Sequence, residues 1–184
     1  MALSAVRPTL LRGVVLNDVG PVIEARGLIR IRGYVGKLPT PRTLREAADI
    51  LRHASGAHFP ILGDEEWTRL ARRTWEEKGG KLVTRYDPAL MRSLDALDLE
   101  ASLPTLWPFF EGLSPFPVLA IRGANSDLLS AETLEAMRLR HPNLATLTVP
   151  GQGHAPLLSD RPTLDAIKAF IERVGEAKPE GAGA

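Results

Sequence analysis

The sequence predicts an α/β fold in which a parallel sheet is interrupted, after its first strand, by a long helical insertion. Three observations carry this. Residues 13–17, 118–122 and 145–149 are short, mainly apolar runs that read as buried strands. Segments of helical period follow the second and third runs. Between the first and second runs, from Pro21 to about Gly112, the pattern is helical, with no convincing strand. Parallel strands separated by helices imply right-handed crossovers.

The elements follow in order. Met1 to Val6 reads as the last turns of a helix stopped by Pro8, because the residue before a proline avoids the helical region. Gly13-Val14-Val15-Leu16-Asn17-Asp18 is apolar and ends polar, as a strand running into a loop does. In the insertion, Leu44, Ala47, Ala48 and Leu51 recur at helical spacing, as do Trp67, Leu70, Ala71 and Trp75. Gly79-Gly80, Asp87-Pro88 and Leu103-Pro104 punctuate these segments. After the strand-like Val118 to Ile121, Ser130 is suited to cap a helix over Ala131 to Arg140. Ala145 to Val149 is the next strand. A helix from about Pro162 to Val174 then carries Leu164, Ile167, Phe170, Ile171 and Val174 on one face. The tail from Glu176 is expected to fray. No internal repeat is present.

Composition narrows the function classes. The chain has 184 residues, 44% apolar and 24% charged, which are globular values. A net charge of +1 gives no footprint for nucleic acid or an anionic membrane. The clusters Arg26, Arg30, Arg32 and Arg69, Arg72, Arg73 read as solvated helix faces. With no cysteine there is neither a disulfide nor a thiolate metal site, and the chain suits a reducing, cytoplasmic setting. No apolar stretch reaches the roughly 18–20 residues that span a bilayer, and Met1 to Pro8 lacks the pattern of a signal peptide. His53, His58 and His141 show no ligand spacing and are read as surface or capping residues. No metal and no cofactor is expected.

The chemistry lies in two loops. Asp127 follows the second strand in Arg122-Gly123-Ala124-Asn125-Ser126-Asp127, and His154 follows the third in Pro150-Gly151-Gln152-Gly153-His154-Ala155-Pro156. A carboxylate and an imidazole at the ends of neighbouring parallel strands are two thirds of an acyl-transfer triad. The interval between them accommodates one helix and one strand. Asp18, which also follows a strand, competes for the role of acid; its expected part is to tie down its own loop. Ser126 adjoins Asp127 but lacks the flanking glycines of a nucleophile elbow, so it reads as a turn residue. No Ser or Asp lies in a G-x-S-x-G-type elbow.

These pieces resemble the C-terminal part of an α/β-hydrolase of the lidded esterase and C–C hydrolase type. The resemblance rests on Val15-Leu16-Asn17-Asp18-Val19-Gly20-Pro21, Leu119-Ala120-Ile121-Arg122-Gly123-Ala124-Asn125-Ser126-Asp127-Leu128-Leu129-Ser130 and Val149-Pro150-Gly151-Gln152-Gly153-His154-Ala155-Pro156, in the family's order. It covers nearly the whole chain. It implies strands six to eight of that fold, with residues 1–21 and 113–184 forming a partial core and residues 22–112 an inserted lid. It further implies Asp127 as triad acid and His154 as general base. The serine elbow and part of the oxyanion hole would precede Met1, so the chain reads as a truncated hydrolase, inactive alone. Some members of the fold take their acid from the earlier strand, where Asp18 stands.

Three readings follow. The parent is a serine hydrolase of a small ester or related carbonyl substrate; or the chain is a short, non-catalytic binding module; or the absent elbow carries Asp, as in epoxide hydrolases and dehalogenases, and His154 activates water. Trp67, Trp75 and Trp107 are expected to pack rather than to stack on substrate. Tyr34 and Tyr86 are similar to lid tyrosines that polarise an epoxide in related enzymes, but two tyrosines without that context assign no role. The expected partners are a small-molecule substrate and, through the bare apolar edge of the first strand, other copies of the chain. No nucleic acid or membrane partner is expected.

Overall fold

The structure, a computed structural model, describes residues 1–87, 89–99, 101 and 103–176. In chain order the first elements are α1 (Leu3–Val6), β1 (Val14–Asn17), α2 (Ala25–Tyr34), α3 (Leu44–Ser55), α4 (Asp64–Thr74), β2 (Trp75–Lys78) and β3 (Lys81–Thr84). There follow α5 (Leu90–Asp95), α6 (Trp107–Glu111), β4 (Val118–Gly123), α7 (Ala131–Arg140), β5 (Leu144–Val149) and α8 (Arg161–Glu176). Pro88, expected to break the insertion, and the tail beyond Glu176 lie outside the described residues.

The chain divides into two compact units, one of residues 1–24 and 104–184, the other of residues 25–103. The first holds a three-stranded parallel sheet in the order β1-β4-β5. Its register sets Val14 beside Val118 and Val118 beside Leu144, so the three strands start level, and β1 ends at Asn17, two residues short of the paired ends of β4 and β5. The middle strand is the most buried: Val118, Ala120 and Ile121 are fully enclosed. One face packs Leu16, Val118 and Ala120 with Phe110, Leu113, Leu129 and Met137. The other packs Leu119, Ile121 and Val149 with Phe170. Such burial on both faces is why the β4 run Val118 to Ile121 lacks polar alternation. Helix α7 begins where the sequence indicates, with Ser130 Oγ accepting the Thr133 N–H at 3.1 Å. Residues 104–112, read from the sequence as part of the insertion, group with this first unit; Phe110 is fully buried in its core.

In the second unit, α3 and α4 pack through Ala47, Ala48, Leu51, Trp67 and Ala71, joined by Phe59 and Trp75. Phe59 and Trp67 meet edge to face, with ring centroids 6.4 Å apart. Thr43 caps α3 by accepting the Glu46 N–H, and Glu46 returns a bond to the Arg42 N–H. The expectation of a wholly helical insertion fails here. β2 and β3 form an antiparallel hairpin, Trp75 facing Thr84 and Lys78 facing Lys81. Gly79 and Gly80 turn it with φ of 58° and 73°. Positive φ at both central residues is what a two-residue hairpin of this hand requires, and glycine supplies it without strain. Trp75, expected on a helix stripe, therefore begins a strand, although it stays in the same core.

Candidate active site

The site is built at the C-terminal ends of β1, β4 and β5. Asp18 directly follows β1 and is completely buried. Its backbone is left-handed, φ 55°, a conformation that Asp tolerates better than most residues. Its N–H donates to the Ile121 carbonyl at 2.7 Å, which holds the turn against the neighbouring strand. The carboxylate thus lies across the end of β4 toward the loop that follows β5.

Three donors converge on it. The Gly123 N–H donates to Oδ1 at 2.8 Å. The Ser126 hydroxyl donates to Oδ2 at 2.6 Å, and the same oxygen lies 2.9 Å from His154 Nδ1. A buried carboxylate needs such partners, since an unpaired buried charge is strongly disfavoured. The His154 side chain keeps 22% of its surface exposed, against none for Asp18. The imidazole therefore has one nitrogen committed to a buried anion, which leaves Nε2 as the nitrogen to serve a reactant.

The expected acid is corrected by this geometry. The carboxylate on the His154 ring is that of Asp18. Asp127 lies half-buried on the loop after β4. Strand order alone does not select it, because β4 and not β1 adjoins β5; the Gly123 N–H and the Ser126 hydroxyl hold the Asp18 carboxylate across the end of β4. On the β4 loop it is Ser126, buried to 6% exposure, whose side chain reaches this carboxylate. Sequence reasoning had confined Asp18 to tying down its loop and Ser126 to the turn. The signal available was a lone acid immediately after an apolar run.

The His loop is tied on several sides. Gln152, nearly fully buried, accepts the Leu157 N–H at its Oε1, and its carbonyl accepts the Asn125 N–H. Asn17 Nδ2 donates to the Pro156 carbonyl at 3.2 Å. Gly123 is required by close approach: a Cβ there would stand 2.5 Å from the Gly153 carbonyl oxygen and closer still to that of Gln152. None of these loop-holding roles was legible from residue type alone.

The other residues singled out from sequence lie elsewhere. Trp67 and Trp75 are core residues of the second unit. Trp107 meets Phe110 edge to face, with the Arg140 guanidinium 4.0 Å from its ring centre. Tyr86 Oη accepts the Gly36 N–H, and the Arg30 guanidinium lies 5.7 Å from the Tyr34 ring centre. His53 is exposed, and His141 is buried at the C-cap of α7, where its backbone N–H donates to the Met137 carbonyl, so of the two expected places it takes the capping one. Its Nδ1 accepts the Asn143 N–H and its Nε2 meets the Leu113 carbonyl at 3.1 Å. Among the described residues, no three His, Asp or Glu side chains are placed to hold a metal ion, and no helix is long and apolar enough to cross a membrane.

Comparison with known proteins places this geometry in context. No protein-family model matches the chain. The 3-hydroxybutyrate-oligomer hydrolase of Cupriavidus necator is 32% identical over 170 residues, which are 87% of this chain and 56% of that protein. A solved α/β-hydrolase from Novosphingobium aromaticivorans superposes with a TM-score of 0.80 at 37% identity, covering 93% of this chain and 60% of that one. E-2-(acetamidomethylene)succinate hydrolase gives a TM-score of 0.70 at 26% identity, over 92% of this chain and 60% of its own. The chain therefore spans a little over half the length of these relatives.

Proposed function

From the premise that this chain carries part of an α/β-hydrolase fold, we propose that it supplies the acid and the base of a hydrolase acting on a small ester, with Asp18 as acid and His154 as general base. The observation that carries this is the 2.9 Å contact between His154 Nδ1 and the buried Asp18 carboxylate. A neutral ring that donates Nδ1–H to Asp18 presents a lone pair at Nε2. That lone pair accepts the proton of an attacking hydroxyl, the carboxylate stabilises the imidazolium that forms, and Nε2–H then protonates the leaving alkoxide. The nucleophile and the oxyanion donors would come from polypeptide outside this sequence, which contains no G-x-S-x-G elbow.

One consideration supports an ester over an epoxide or a haloalkane: the curated relative is a hydrolase of 3-hydroxybutyrate oligomers, which are esters. The compact unit of residues 25–103 falls within residues 22–112, which the resemblance implies as the lid.

The test is a chimera joining to this chain the portion of the Novosphingobium hydrolase that this chain does not cover. The reading predicts turnover of p-nitrophenyl butyrate that is lost in His154→Ala. A folded chimera whose activity is indifferent to His154 would refute it.

A further inference from the structure

We infer that Ser126 is a positioning residue of the Asp18–His154 pair, an obligate donor that selects the carboxylate oxygen presented to the ring; the inference rests on the acid–base reading above. A serine hydroxyl has one proton and two lone pairs. Here the Leu128 N–H and Leu129 N–H donate to Ser126 Oγ at 3.2 and 3.1 Å. Both lone pairs are occupied, so the proton has one direction left, toward Asp18 Oδ2 at 2.6 Å. Ser126 cannot turn to accept from the acid or from water without releasing two backbone donors.

The consequence reaches the imidazole. Oδ2 accepts from both Ser126 and His154, while Oδ1 is held by the Gly123 N–H. The carboxylate is thereby pinned at both oxygens, and rotation about its Cβ–Cγ bond would break all three contacts. Without the hydroxyl, one pin goes and Oδ2 can swing away from Nδ1. The ring then loses its preference for carrying the proton there. Ser126 sits on the same loop as Asp127, so this loop serves the pair through its serine.

The test is the tautomer of His154, read from imidazole nitrogen resonances of the ¹⁵N-labelled full chain at a pH where the ring is neutral. In the wild-type protein Nδ1–H should outweigh Nε2–H about tenfold, the effect of one charge-assisted bond. In Ser126→Ala the ratio should fall toward unity, and Ser126→Thr, which keeps the hydroxyl, should restore it. A Ser126→Ala protein with native amide resonances and the wild-type ratio would overturn the inference. Should Ser126→Ala not fold, the wild-type protein decides: an exchange-protected hydroxyl proton of Ser126 that cross-relaxes with the Nδ1 proton supports the inference, and its absence overturns it. A wild-type ratio without bias toward Nδ1–H would refute the acid–base reading itself, which separates the two failures.

Discussion

Asp18 and His154 are 136 positions apart in the chain, and their side chains meet at 2.9 Å at the end of a strand that belongs to neither. That strand, β4, contributes the Gly123 N–H to the carboxylate and, having no side chain at Gly123, lets the His loop close over its end.

The acid should be a structural keystone independently of any activity. Asp18→Ala leaves the Gly123 N–H and the Ser126 hydroxyl without their buried acceptor, each worth about 1–3 kcal/mol. We expect a loss of about 2–5 kcal/mol in urea unfolding. Asp127→Ala, at a half-buried loop position, should cost under about 1 kcal/mol. Equal losses from the two would contradict the correction of the acid.

Gly123→Ala should be worse than its one carbon suggests. The new methyl meets two backbone carbonyls that cannot rotate away. The strain should cost about 1–3 kcal/mol and displace the resonances of Gln152 to His154, as amide spectra and denaturation would show. A silent substitution would mean that the loop has slack.

The second unit has its own core, and Trp67→Ala should expose it. Removing a buried aromatic in edge-to-face contact with Phe59 should cost about 3–5 kcal/mol in unfolding of that unit, seen by near-ultraviolet circular dichroism. Little change would place the stability of residues 25–103 elsewhere.

The outer edge of β1 is unpaired among the described residues, and Val15 on it is 38% exposed. Open apolar strand edges invite pairing between chains. The isolated protein should therefore associate with rising concentration in light scattering, and Val15→Lys should lessen that association. A wild-type chain that stays monomeric throughout would count against it.

Much of this was legible in the sequence, and what was not has physical reasons. Val118 to Ile121 announces itself because burial on both faces demands an unbroken apolar run, and Ala145 to Val149 because the exposed Thr146 and Thr148 alternate with apolar residues. Ser130 announces its helix by its capping chemistry. The hairpin at Trp75 to Thr84 was hidden because Gly79-Gly80 reads equally well as a break between helices. The flanking Glu76, Glu77 and Lys78 also show no clear alternation. His154 was found from its loop. Its carboxylate partner was not, because Asp18 and Asp127 both follow apolar strands. The contacts that Gly123 and Ser126 make with the Asp18 carboxylate distinguish the two, and such contacts are a tertiary property.

The most direct test of the central claim compares two substitutions in the chimera that supplies the elbow. If Asp18 holds His154 in the productive tautomer, Asp18→Asn should lower kcat for p-nitrophenyl butyrate on the order of 10⁴-fold. Asp127→Asn should change it by no more than about twofold. The reverse pattern, with Asp127→Asn abolishing turnover and Asp18→Asn sparing it, would contradict the account.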